Sequence, residues 1–185
     1  MTEARHLSTE ELDAGLELIR QSPAEGGALQ IIATRPAIGE RQLSQEGELD
    51  LEQGLVGDNW GTRGEQSDPP REPKLDAQVT VMNVRAAEHI AGSRERAPLA
   101  GDQLYVDLDI GRDNLPIGSR LAIGSAVLEV TAEPHPGCKK FVERFGLDAM
   151  NWVNSPVGKN MCLRGINTKV VQAGTIHVDD KITKA

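Results

Sequence analysis

Leu121-Ala122-Ile123-Gly124-Ser125-Ala126-Val127-Leu128-Glu129-Val130-Thr131 alternates apolar and polar residues, with Gly118 and Gly124 marking its turns. A period of two puts successive side chains on opposite faces, the signature of half-buried strands. Working outward, Leu104 to Asp109 alternates in the same way, and Gln78 to Met82 reads as a buried strand followed by a brief helix from Asn83 to Ala91, with Asn83 as its cap. Leu29 to Thr34 is a short apolar run ended by Arg35-Pro36. Downstream, Lys139–Phe145 and Asp148–Asn154 read as helices, and Thr168–Val171 and Thr175–Val178 as strands joined by Ala173-Gly174. Short strands with glycine punctuation predict a mainly β fold with peripheral helices, a closed or nearly closed β-barrel.

The chain begins differently. Ser8 and Glu11 form a capping-box pair, Leu7 and Leu12 have the spacing of a hydrophobic staple, and Leu12, Leu16 and Ile19 share one helical face up to Ser22-Pro23. Residues 1–27 are therefore expected to be a helix and lead-in, and residues 28–183 one barrel domain. A chain of 185 residues supports one well-buried core. With aromatics at 3%, that core must be built from Leu, Ile, Val and Ala. No apolar run approaches the length of a membrane span, and the polar start gives no sign of a secretion or import signal. The two cysteines are too few for a disulfide framework, so free thiols in a reducing, cytoplasmic setting are expected.

The formal net charge of -8 argues against nucleic-acid and membrane-surface partners. The charge is uneven: between residues 135 and 170, Lys139, Lys140, Arg144, Lys159, Arg164 and Lys169 face only Glu143 and Asp148. This basic stretch suits a small anionic ligand, with an ordinary solvated surface as the bland reading. It opens with Glu133-Pro134-His135-Pro136-Gly137-Cys138-Lys139-Lys140-Phe141. Two prolines and a glycine stiffen a turn that delivers Cys138 to the start of a helix. Helix-terminal amides and the nearby cations expected of Lys139, Lys140 and His135 favour the thiolate, the form that transfers sulfur or binds metal. Free cysteines are otherwise most often small buried hydrophobes, the reading that fits Cys162 in its strand-like surroundings. A zinc tetrahedron from His135, Cys138, Cys162 and His177 is the weaker alternative, because there is no CxxC pair. The segment from Gly61 to Lys74, rich in Gly, Pro and charge, is long enough to be functional or mobile.

Five pieces, in order, resemble the molybdenum-cofactor-sulfurase C-terminal (MOSC) domain family. They are Gly54-Leu55-Val56-Gly57-Asp58; Asn114-Leu115-Pro116-Ile117-Gly118 leading into Leu121-Ala122-Ile123-Gly124; Leu128-Glu129-Val130 through Pro136-Gly137-Cys138-Lys139; Arg164-Gly165 before Val170-Val171; and Ala173-Gly174-Thr175-Ile176 with Asp179-Asp180. The resemblance implies a β-barrel that binds molybdenum cofactor, with Cys138 either carrying sulfur as a persulfide or ligating molybdenum. A reductase of N-hydroxylated compounds is a variant of the same role. It marks Gly57 and Asp58 as a loop near the site. Asn114, His135, Lys139, Lys140 and Arg164 are the further residues expected to hold the anionic cofactor on physical grounds. A sulfur- or electron-donor protein is the expected partner. No lysine here stands in a recognisable pyridoxal-phosphate context, so that cofactor is not expected. The alternative is a non-catalytic barrel that binds an anion or a partner and whose cysteine is incidental.

Overall fold

The computed structural model describes residues 5–185. The expected N-terminal helix is two short ones, α1 (Thr9–Ala14) and α2 (Leu16–Arg20). The capping box forms: Ser8 Oγ accepts from Glu11 N at 3.3 Å, and Ser8 N donates to Glu11 Oε2 at 2.9 Å. The break falls at Gly15, where a Cβ would stand 2.3 Å from His89 Nε2. That ring nitrogen lies 3.1 Å from the carbonyls of both Glu11 and Leu12. Close approach of His89 sets this position, and helix periodicity alone could not reveal it.

The strands are β1 (Ala28–Thr34), β2 (Gln42–Ser44), β3 (Glu46–Asp50), β4 (Gly54–Leu55), β5 (Val79–Asn83), β6 (Leu104–Asp107), β7 (Arg120–Ile123), β8 (Ala126–Val130), β9 (Ile166–Gln172), β10 (Gly174–His177) and β11 (Ile182–Lys184). Among the described residues they outnumber those in α-helices. Eight strands form one sheet in the order β11-β7-β8-β9-β5-β6-β1-β2, and β10-β3-β4 form a second. Among the described strands only β5 and β6 run parallel, joined through α3 (Val84–Ala91), which Asn83 caps by accepting from Ala86 N.

The barrel is not closed. The large sheet is an open half-barrel whose edge strands, β11 and β2, do not pair with each other. Each edge strand has only three residues, and next to each the chain leaves for the small sheet. The corner between β9 and β10 requires Gly174, because a Cβ there would lie 2.5 Å from the Ser125 carbonyl carbon. The small sheet closes the gap by packing: Leu49, Leu55 and Ile176 join Leu29, Val81, Leu104, Leu121 and Leu128 in one buried cluster.

The helices are more than peripheral. α4 (Lys139–Phe145) and α5 (Leu147–Asn154) join α1 to α3 over the outer sheet face. There Ile31, Met82 and Tyr105 meet Leu12, Ile90, Phe141 and Trp152 in a second core. Adjacent residues such as Val81 and Met82, or Leu104 and Tyr105, thus serve opposite cores. A further helix, α6 (Pro156–Asn160), precedes Cys162, which lies in a turn with φ 51° instead of the expected strand.

Candidate functional site

Cys138 is the N-cap residue of α4, and its thiol is exposed. The turn before it is held from several directions. Asn167 Nδ2 donates to the carbonyls of Glu133 (3.1 Å) and Pro134 (3.0 Å), and Gly137 N donates to Asn154 Oδ1 at 3.0 Å. His135 Nε2 meets Asp102 Oδ1 at 2.7 Å. The two prolines are thus joined by anchors from β9, α5 and the lead-in to β6, which together fix where the sulfur stands.

Asp102, fully buried, is the centre of that anchorage. Its other oxygen accepts from Arg164 Nη1 at 2.6 Å, while Arg164 Nη2 donates to Ala100 O at 2.9 Å and the guanidinium lies 5.1 Å from the Phe141 ring centroid. Despite burial, the Arg164 and His135 partners hold the Asp102 carboxyl well below the usual carboxylate range. Burial, aided by Arg164, pushes the His135 imidazole down against the pull of Asp102, so the ring is neutral at pH 7. A neutral ring bonded to a carboxylate donates through Nε2. Tyr105, whose hydroxyl accepts from Asp102 N, is pushed far up by burial and then by Asp102.

A second buried pair stands alongside. Arg35, immediately after β1, gives Nε and Nη2 to Asp58 at 2.8 and 2.7 Å, and Nη1 to Gly101 O at 3.1 Å. Gln103 Nε2 reaches Asp58 Oδ1 at 3.3 Å, while its Oε1 accepts from Thr80 N and Thr80 Oγ1. This bidentate geometry locks the Gly57-Asp58 turn to the start of β6.

Around these two neutralised pairs stand arginines with no carboxylate partner among the described residues: Arg41, Arg63 and Arg144. Arg41 and Arg144 approach Gly101 from two sides, with a Cβ there 3.4 Å from Arg41 Nη2 and 3.7 Å from Arg144 Nη1. Arg41 Nε and Arg144 Nη1 are aimed by the carbonyls of Pro98 and Leu99. Burial, then Arg144 and Arg35, push the Arg41 guanidinium down, and burial, then Arg35, does the same to Arg63, which is also within the field of Cys138. Like charges crowded in this way are relieved by an anion. Arg164 Nε, buried and without a partner, adds an orphan donor.

The structure brings Asp58, His135, Arg164 and Cys138 to one region, with Lys139 and Lys140 exposed on the first turn of α4 and Gly57 (φ 88°) on the adjoining loop. Several expected contacts are redirected. Asp58 is occupied by Arg35, Arg164 by Asp102, and His135 is neutral instead of supplying a cation. Asn114 is not part of this group: its amide serves Ala24 O and Asp109 O, and its oxygen accepts from Lys184 Nζ at 2.6 Å. Nor is the zinc tetrahedron assembled, since Cys162 lies in the barrel core and His177 pairs with Glu46. Sequence reasoning missed Arg35, Arg41, Arg63 and Asp102. Signals for them existed in the Arg35-Pro36 stop, the long Gly61–Lys74 loop and a second glycine–aspartate pair, Gly101-Asp102.

An open half-barrel with a helix layer and an anchored, exposed cysteine beside crowded arginines defines the class of molecule. The model of the MOSC domain matches residues 40–183, and the chain belongs to that family. Solved structures with the same fold include the YuaD protein from Bacillus subtilis (18% identity, 84% of this chain and 93% of that one, TM-score 0.59). YiiM from Escherichia coli matches at 18% identity over 85% of this chain and 69% of its own, with a TM-score of 0.55. A hypothetical protein aligns at 18% identity over 90% of this chain and 70% of its own, with a TM-score of 0.59. No curated protein matches the chain in sequence.

Proposed function

We propose that the protein binds molybdenum cofactor at the Cys138 face, with the thiol as sulfur carrier or molybdenum ligand. The observation that carries this reading is a group of arginines lacking carboxylate partners among the described residues, Arg41 and Arg144 crowded at Gly101 and Arg63 within the field of the exposed Cys138. The residues fit the group. A pterin phosphate would accept hydrogen bonds from these guanidiniums and from the orphan Arg164 Nε, with Lys139 and Lys140 at the rim. When bound, the cofactor would supply the redox-active metal, and an electron- or sulfur-donor protein would have to dock at the same face. As a carrier, the Cys138 thiolate attacks the outer sulfur of a donor persulfide; the donor's S–S bond breaks, its thiolate leaves, and the terminal proton stays on the transferred sulfur. Cys162 is unsuited to this role, because it is buried and burial pushes its thiol up.

One observation favours a non-catalytic anion-binding module as the second reading. His135 Nε2 is committed to Asp102, and the Cys138 side chain makes no cap hydrogen bond, so no base is hydrogen-bonded to the thiol among the described residues. Both readings meet one experiment. Protein purified from a host that makes molybdenum cofactor is analysed for pterin, molybdenum and persulfide sulfur, as wild type, Cys138→Ser and Arg63→Gln. The cofactor reading expects near-stoichiometric pterin, a roughly ten- to hundredfold weaker hold in Arg63→Gln, and loss of molybdenum or labile sulfur in Cys138→Ser. An apo-protein from that host would overturn it, and anion binding indifferent to Cys138 would leave the second reading standing.

A further inference from the structure

A cleft of about 520 Å³ lies between α2, the segment after β6 and α6, and shares no lining residue with the site above. Its volume falls in the range of about 300–1,000 Å³ typical of small-molecule sites. The floor is apolar: Ile19 and Ile110 are buried, Met161 packs on the helix-layer core, and Val157 is 45% exposed at the mouth. The charged groups come from separate elements, α2 and the segment after β6. Arg20 on α2 makes no hydrogen bond or ion pair among the described residues. On the segment after β6, Asp109 spends one oxygen on Gly111 N at 2.9 Å, and Asp113 receives only a 3.4 Å contact from Asn160 Nδ2. Neither carboxylate has a cation within ion-pair distance among the described residues. Charges of both signs thus line one apolar floor without pairing directly among the described residues.

We propose that this cleft is a second binding site, for a short apolar zwitterion of dipeptide size. Its ammonium lies between Asp109 and Asp113, its carboxylate meets Arg20, and its side chains cover Ile19, Ile110, Val157 and Met161. A dipeptide separates its two charges by about the span of two residues (~3.3–3.6 Å each when extended), which a single amino acid cannot do. Two carboxylates against one guanidinium disfavour simple organic acids. Asn160, beside Asp113, offers its side-chain amide to the peptide group.

The test uses the full chain, isotope-labelled, with the dipeptide Leu-Phe followed by amide chemical shifts. Shifts are expected at Ile110, Gly111, Val157 and Met161 and not around Cys138, with the same affinity in Cys138→Ser. N-acetyl-Leu-Phe, lacking the ammonium, and Leu-Phe-amide, lacking the carboxylate, are each expected to bind about tenfold or more weakly. Asp113→Asn should then cost the free dipeptide affinity without affecting the acetylated form, and Arg20→Gln should do so without affecting the amide. Both positions are exposed, so the variants keep the fold. Absence of shifts at millimolar dipeptide, shifts centred on Cys138, or equal binding of the capped peptides would overturn the proposal.

Discussion

Asp58 and Asp102 each follow a glycine, and each takes the guanidinium of an arginine flanking a strand, Arg35 or Arg164. Only one of the two glycine–aspartate pairs was legible as a turn near the site. The task they share, neutralising a buried arginine, depends on partners 23 and 62 residues away in sequence. His135 shows how such a partner reverses a local expectation. Beside prolines and lysines it reads as a cation, yet burial and Arg164 keep it neutral. Its folded value lies below the ordinary one near 6.5, so between the two the unfolded chain takes up a proton that the folded chain refuses. Stability is therefore intact above about pH 6.5 and falls as the pH drops through that window, by at most about 1.4 kcal/mol per pH unit for one group. His135→Gln keeps a donor for Asp102 but removes the titration. Urea unfolding between pH 7.5 and 5 should show a shallower loss in the variant, and an identical slope would mean that His135 titrates normally.

Elements with local signals were legible and those with distant causes were not. The start of α4 and both ends of α3 fall where the sequence predicts them, because Asn83 caps by its own side chain and Gly137-Cys138 interrupts the strand-to-helix path. α6 announces itself only by Ser155-Pro156, a capping residue followed by proline at the first helical position. β3 and β4 carry one large apolar residue each, Leu49 and Leu55, and β3 pairs with β10, more than a hundred residues downstream. The turn that presents Cys138 lies between these cases: its stiffness is legible in Pro134 and Pro136, but its anchor, Asn167, sits on β9. Asn167→Ala would free two carbonyls at once. We expect a stability loss of about 1–3 kcal/mol, faster amide exchange confined to residues 133–138, and an altered alkylation rate at Cys138 while Cys162 stays slow. Unchanged exchange in this segment would show that the prolines alone hold the turn.

At the scale of the whole molecule, two cores share one sheet. The sequence reads β5 as a buried strand and β6 as an alternating, half-buried one, but a second apolar layer covers the outer face, and the helices that supply it come from three separate stretches of the chain. Closure was misjudged for the same reason. Nothing in Gln42–Ser44 or Ile182–Lys184 says that these strands end as unpaired edges while a separate three-stranded sheet fills the gap. The shared strands have a consequence for cooperativity. Val81 and Leu104 hold the barrel interior while their neighbours Met82 and Tyr105 hold the helix layer, so peeling away the helices would bare Tyr105, Met82 and Ile31 together. Exposing that much apolar surface, at roughly 25 cal/mol per Å², leaves no stable half-molecule. Trp152 reports the helix layer from within, and Trp60→Phe makes it the sole tryptophan of the chain. Its fluorescence and the far-ultraviolet ellipticity should therefore trace a single urea transition with coincident midpoints. A tryptophan signal lost at lower urea, with the strand signal intact, would show that the half-barrel stands without its helices.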